Sequence, residues 1–143
     1  MNTKKELGDW GEDRAALYLR LHGYSILERN YRCRQGEIDI IARRRGIVAF
    51  VEVKLRKNAE HGEAKEFVTY SKQRRILTAA QIWLAANECE LQPRFDVIEI
   101  YAPEGTATKR PLIRHLEAAF ECLCPLPDGR SAQQLPRGQK VEQ

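Results

Sequence analysis

Apolar positions are densest between Gly36 and Arg56, where Ile38, Ile40 and Ile41 and then Ile47, Val48, Phe50, Val51 and Val53 flank Arg45-Gly46. β-Branched and aromatic density of this kind favours pleated, buried strands, and Arg45-Gly46 predicts the tight turn of a hairpin. Upstream, Thr3 to His22 carries Leu7, Trp10, Leu17, Tyr18 and Leu21 at helical spacing and is closed by Gly23; Glu12 shares a side with Ala15, Ala16 and Leu19. Tyr24 to Cys33 reads as a first strand, turned into the second by Gln35-Gly36. Beyond the hairpin, Lys57 to Lys65 is a polar loop containing His61, and Ser71 to Glu90 is a second helix that buries Ile76, Leu77, Ala80, Trp83 and Leu84. Arg94 to Tyr101 alternates as a strand, Leu112 to Leu116 reads as a short edge strand, and Glu117 to Cys124 as a final helical turn or two. From Pro125 the chain has almost no apolar body, so residues 125–143 are expected to be a disordered tail behind a single domain over 1–124. Helix, three strands, helix, strand is an α+β pattern.

With a two-residue turn at Arg45-Gly46, antiparallel pairing matches positions whose numbers sum to 91. Asp39 then falls opposite Glu52, and Glu37 opposite Lys54. Alternation sets these four on one face beside Ile41, Val48 and Phe50, while Ile38, Ile40, Val51 and Val53 point the other way. Like charges directly opposed destabilise a sheet by up to roughly 1 kcal/mol. Three explanations fit: a different register, a solvated charged face carrying a Glu37–Lys54 ion pair, or a cation bridging the carboxylates. A hard divalent ion such as Mg²⁺ takes oxygen ligands from one or two carboxylates, and Lys54 beside it would hold or activate water.

Composition changes this picture only in where the charge lies. The net charge is +4, but residues 29–75 hold thirteen of the 24 Lys and Arg against six of the 20 Asp and Glu, a local balance of +7 around the hairpin. Such a stripe fits a polyanion such as DNA or RNA, or a solvated basic surface. Lys72, Arg74 and Arg75 crowd the start of the second helix, where the helix dipole favours anions; a phosphate docked there would reconcile the two. In a chain of 143 residues, 43% hydrophobic and 31% charged, no apolar run approaches the ~18 residues of a membrane span. The first ten residues lack a signal-peptide core, and the expected compartment is the cytoplasm. Cys33, Cys89, Cys122 and Cys124 lack the C-x-x-C spacing of zinc or redox sites, and Cys122-x-Cys124 with His115 is too thin a pattern to support zinc. They read as reduced structural thiols.

Asp39 followed by Glu52-Val-Lys54 resembles the acidic–Glu-x-Lys signature of the restriction-endonuclease-like nuclease superfamily. Gly36-Glu-Ile-Asp-Ile-Ile-Ala42 and Phe50-Val-Glu-Val-Lys-Leu-Arg56 are similar, more closely, to the YraN-like UPF0102 family. So are Gly8-Asp-Trp-Gly-Glu12, Arg29-Asn-Tyr-Arg32, Lys72-Gln-Arg-Arg75, Phe95-Asp-Val97 and Ala119-Phe120, so the likeness runs over roughly residues 8–120. Ile38 stands where the superfamily's name implies Pro, and Leu55 where Thr or Ser is frequent; neither change removes a proposed ligand.

The resemblance implies an αβββαβ core with a mixed sheet flanked by helices, and a divalent-metal-dependent nuclease. Asp39 and Glu52, with the Val53 carbonyl, would hold Mg²⁺ or Mn²⁺; Lys54 would position water, and Glu12 would complete the site as a further ligand or by fixing Lys54. Arg56, Lys72 and Arg75 would bind phosphates of a nucleic acid, expected to be DNA, with branched DNA suggested by analogy to small junction-resolving members of the superfamily. By pattern alone Glu12 is equally an exposed helix residue paired with Lys5 or an Arg. The rival classes are a non-catalytic nucleic-acid-binding module and a protein-interaction scaffold. Whether the chain forms a homodimer is left open by its sequence.

Overall fold

The computed structural model describes residues 3–57 and 69–120. The expected tail, the His61 loop and the Cys122/Cys124 pair lie outside the described residues. Helix α1 (Lys4–Leu21) is followed by β1 (Ser25–Cys33), β2 (Gly36–Arg44), β3 (Ile47–Arg56), α2 (Tyr70–Ala86), β4 (Gln92–Tyr101), a 3-10 turn at Gly105–Ala107 and β5 (Leu112–Phe120). The five strands lie in chain order, β1-β2-β3-β4-β5. β1, β2 and β3 form an antiparallel meander, β3 and β4 run parallel across the α2 connection, and β5 returns antiparallel. The result is a mixed sheet in an α+β fold, in the αβββαβ order expected of a restriction-endonuclease-like core.

Each helix covers one face of the sheet. Ile76, Ala79, Ala80 and Trp83 of α2 pack on Ile41, Val48, Phe50, Phe95 and Val97. Ala15, Ala16 and Leu19 of α1 pack on Ile40, Ala49, Val51, Ile98 and Ile100. Within α1 the buried face is the small-residue one that includes Glu12. Leu17 and Leu21 lie off that face and are 46% and 75% exposed. Small residues prevail because the helix comes so close to the sheet: a Cβ on Gly11 would lie 2.0 Å from Leu55 Cδ1. Thr3 and Glu6 close the start of α1 with a reciprocal capping box.

A second close approach sets α2. A Cβ on Gly36 would stand 2.6 Å from the backbone oxygen of Arg75, so glycine at the start of β2 lets the first turns of α2 sit against the β1–β2 hairpin.

Two expectations need correcting. Glu117 to Phe120 is strand, not helix. β5 bulges there, with Phe95 opposite Phe120 but Val97 opposite Leu116. The Asp96 carboxylate holds the bulge by accepting from the Ala118 N–H at 3.0 Å, and the Phe120 ring stacks on Phe95. Ile38 faces the α2 side with Ile41 rather than the α1 side with Ile40, so β2 loses its alternation at Asp39. The cause lies at the site itself.

Candidate active site

The β2–β3 hairpin has the expected register, running from Arg44↔Ile47 to Ile40↔Val51. Past that pair the two strands separate, each still paired with its outer neighbour: β2 with β1 as far as Gly36↔Cys33, β3 with β4 as far as Arg56↔Tyr101. The sheet forks, with Asp39 on one lip and Glu52 on the other. Asp39 Oδ2 accepts a 2.8 Å hydrogen bond from the Val53 N–H, replacing a ladder bond with a side chain. That turn of Asp39 into the sheet plane explains the lost alternation at Ile38. The direct opposition of Asp39 and Glu52 is relieved by divergence, without any change of register.

The fork is crowded with charge. Glu52 is 6% exposed. Burial first, and then the neighbouring Glu52 carboxylate, push Asp39 up to about 7, against the Val53 hydrogen bond and Lys72. Lys72 reaches in from the first turn of α2 and sets its Nζ 2.5 Å from Glu52 Oε1; Lys54 Nζ stands 4.0 Å from the same oxygen. Burial and the Lys72 ammonium depress Lys54, which makes it the more readily deprotonated of the two amines. Burial also opposes charge on Lys72, but its bond and attraction to Glu52 outweigh that and hold it above the ordinary lysine range. Glu37, expected opposite Lys54, pairs instead with Arg32 at 3.4 Å on the surface.

Glu12 is buried at 6% exposure and faces the fork closely enough to raise Asp39. Its Oε1 accepts from Arg29 Nε at 3.0 Å and from Asn30 Nδ2 at 2.8 Å. Asn30 manages this from a left-handed backbone, φ 53°, between the pairs Arg29↔Ile40 and Tyr31↔Ile38. Burial raises the Glu12 carboxyl, and Arg29 partly opposes the rise. Arg29 and Asn30 had no assigned role from sequence. The available signal was Glu12 itself, because a carboxylate among alanines requires a partner.

The remaining predicted residues separate. Arg75, Arg34, Arg32 and Lys72 line a groove of about 410 Å³ between the β1–β2 turn and the start of α2. Lys72 belongs to both groove and fork. Arg56 follows Lys54 on the same face of β3, near enough to help depress it, but its Nε stands 3.6 Å from an oxygen of Glu99, which is fully buried on β4; its side chain is 15% exposed. It is therefore placed on a buried carboxylate and not among the groove cations.

Among the described residues no three His, Cys, Asp or Glu side chains form a closed metal cage. The donor chemistry of the fork nevertheless suits a hard divalent ion: two carboxylates share a largely buried cleft, and Glu52 adds to burial in opposing the charge on Asp39. One or two protein carboxylates are the usual protein ligands of Mg²⁺.

The model of the uncharacterised protein family UPF0102 matches residues 11–100, a span that includes Glu12, the whole fork and Lys72. The chain belongs to the UPF0102 family. A UPF0102 protein of Lachnoclostridium phytofermentans is 51% identical over 123 residues, covering 85% of this chain and 97% of its own. UPF0102 proteins of Syntrophotalea carbinolica and Caldanaerobacter subterraneus subsp. tengcongensis are 47% and 43% identical, over 80% and 82% of this chain and 91% and 97% of theirs. The UPF0102 match thus embraces α1 from Gly11 through most of β4, the elements that build the fork. No helix among the described residues is long and apolar enough to cross a membrane.

Proposed function

We propose that this UPF0102 protein is a divalent-metal-dependent phosphodiesterase that hydrolyses nucleic acid, with DNA as the expected substrate. The observation that carries the reading is the fork: Asp39 is pinned to the β3 backbone at Val53, beside Glu52 and Lys54, with a cationic groove opening from Lys72. Asp39 and Glu52 would hold Mg²⁺ or Mn²⁺. When bound, that ion supplies Lewis-acid stabilisation of phosphoryl charge and a more acidic water. Lys54, depressed by burial and by Lys72, would orient the attacking water by a hydrogen bond. Glu12, fixed by Arg29 and Asn30, faces Asp39 across the fork and acts as a positioning residue. Arg34 and Arg75 hold the phosphate backbone along the groove.

A second reading has one observation in its favour. The Lys72 ammonium on Glu52 already neutralises a carboxylate, as a pure binding module would need. The deciding experiment is a cleavage assay on single-stranded, duplex and branched DNA and on RNA with Mg²⁺ or Mn²⁺, using Asp39→Asn as the control. Metal-dependent cleavage lost in Asp39→Asn supports the enzyme. Binding without cleavage on any substrate supports the module.

A further inference from the structure

Lys72 occupies a position that helix physics disfavours. It is the third residue of α2, three after the Thr69 cap, and the first turn of that helix contains no acidic residue. A cation there opposes the positive end of the helix dipole. The Thr69 hydroxyl still accepts from the Lys72 N–H at 3.2 Å, so the backbone is capped while the side chain leaves the helix axis for the fork. There the ammonium meets Glu52 Oε1 at 2.5 Å, and it also neighbours Lys54. Its side chain is 38% exposed, against 7% for that of Glu52, so the lysine has open space to withdraw into and the carboxylate does not. That open space is the basic groove, which Lys72 also lines.

We infer that Lys72 is a resident counter-ion of the carboxylate pair, displaced from Glu52 when a divalent cation enters and moved into the groove, where it binds a phosphate of the nucleic acid. This rests on the metal reading above and adds its regulation. Two cations compete for one carboxylate, so an empty fork is kept neutral and metal affinity in the absence of substrate is held down. A polyanion in the groove offers the lysine a second anion, which lowers the free energy of releasing Glu52. Metal and nucleic acid therefore bind with positive coupling, and linkage requires each to strengthen the other by the same factor.

The test is isothermal titration of Mn²⁺ into metal-free protein, wild type, Lys72→Met and Lys72→Arg, with fluorescence anisotropy of a labelled DNA with and without Mn²⁺. Lys72→Met removes the competing charge at similar length and is expected to bind Mn²⁺ about fivefold tighter or better, while losing most of the gain in DNA affinity that Mn²⁺ gives wild type. Lys72→Arg keeps the charge and should retain weak metal binding, which also guards against a folding defect in the neutral variant. Mn²⁺ affinity in Lys72→Met equal to or below that of wild type would overturn the inference while leaving the metal site standing. No Mn²⁺ binding by any of the three proteins would remove the inference and the metal reading together.

Discussion

The Val53 N–H donates to Asp39 Oδ2 across the point where β2 and β3 part, so one side chain both ends the ladder and seals the gap it leaves. The anchored carboxylate is held at the cleft by backbone and not by a flexible partner. Its position carries an electrostatic penalty, because burial and Glu52 both oppose its ionisation.

A pH dependence follows. The folded pKa of Asp39, about 7, lies above its ordinary value of 3.8, so the fold disfavours the ionised form. The destabilisation is present in full above pH 7 and disappears as pH falls from 7 towards 4, where the folded chain takes up a proton before the unfolded one does. Metal-free protein should therefore gain stability between pH 8 and pH 5. Asp39→Asn, which can still accept from Val53, should be more stable than wild type at pH 8 and lack that gain. Urea midpoints across the range check this; a wild-type profile that is flat or falls on acidification contradicts it.

Divalent cations should reverse the penalty. Mg²⁺ or Mn²⁺ bound only by the folded state raises the melting temperature by mass action. Glu52→Gln should abolish the rise, since it removes a ligand charge at constant shape. A thermal-shift titration to millimolar Mn²⁺ measures both, and an equal rise in wild type and Glu52→Gln would place the ion elsewhere.

Much of the fold was legible because periodicity and turn chemistry agreed. Ile38 to Val53 around Arg45-Gly46 specified the hairpin and its register, and the spacing from Ile76 to Trp83 specified the buried face of α2. In α1 the sequence aligns Glu12 with Ala15, Ala16 and Leu19, and that is the side that packs: Leu17 and Leu21 are large and exposed, while Gly11, Ala15 and Ala16 pack because only small residues admit Leu55 so near the helix axis. Asp39, Glu52 and Lys54 were legible as neighbours through strand geometry. The place of Lys72 was not, because α2 lies far along the chain and its docking depends on Gly36 meeting the Arg75 backbone, a contact without a local pattern. Arg29 and Asn30 were hidden by a left-handed residue that strand alternation does not anticipate.

One of the buried carboxylates outside the fork, Asp96, should be structural. Asp96 is fully buried and accepts from Arg94 Nε and Nη2, His115 Nε2 and the Ala118 N–H, all at 2.8 to 3.0 Å. The other ring nitrogen of His115, Nδ1, stands 3.3 Å from the Tyr18 hydroxyl. Desolvation alone would raise Asp96, but the His115 and Arg94 hydrogen bonds outweigh it and hold the carboxyl below its usual range. The stability it contributes is thus present above the ordinary carboxylate range and lost only as pH falls through that lower folded value. Asp96→Ala should destabilise by ~3–5 kcal/mol, the scale for stripping one partner from a buried charge network. Chemical denaturation checks it, and a loss below about 1 kcal/mol would mean that the network is dispensable.

The groove cations should act on affinity without sequence preference. Arg34→Ala combined with Arg75→Ala removes two phosphate contacts, which should weaken DNA binding across sequences and lower the salt slope by about 2. Fluorescence anisotropy between low and physiological salt measures both quantities. An unchanged slope would take the nucleic acid out of the groove.

Lys54 decides whether the fork performs chemistry. Its ammonium is depressed by burial and by Lys72, and it stands 4.0 Å from Glu52, near enough to share the carboxylate yet outside a tight bond. A group poised in this way acts on charge that develops in the transition state, so its removal should take away rate and leave ground-state affinity in place. Lys54→Ala is therefore expected to keep its fold and its metal response while cleavage falls ~100-fold or more, the scale of a positioned acid–base group. If the fork only binds, the same substitution changes DNA affinity slightly and there is no metal-dependent cleavage to lose. Single-turnover cleavage at saturating enzyme separates the chemical step from binding, and circular dichroism verifies the fold. A folded Lys54→Ala protein that cuts at the wild-type rate would take the lysine out of the mechanism and leave water activation to the metal site alone.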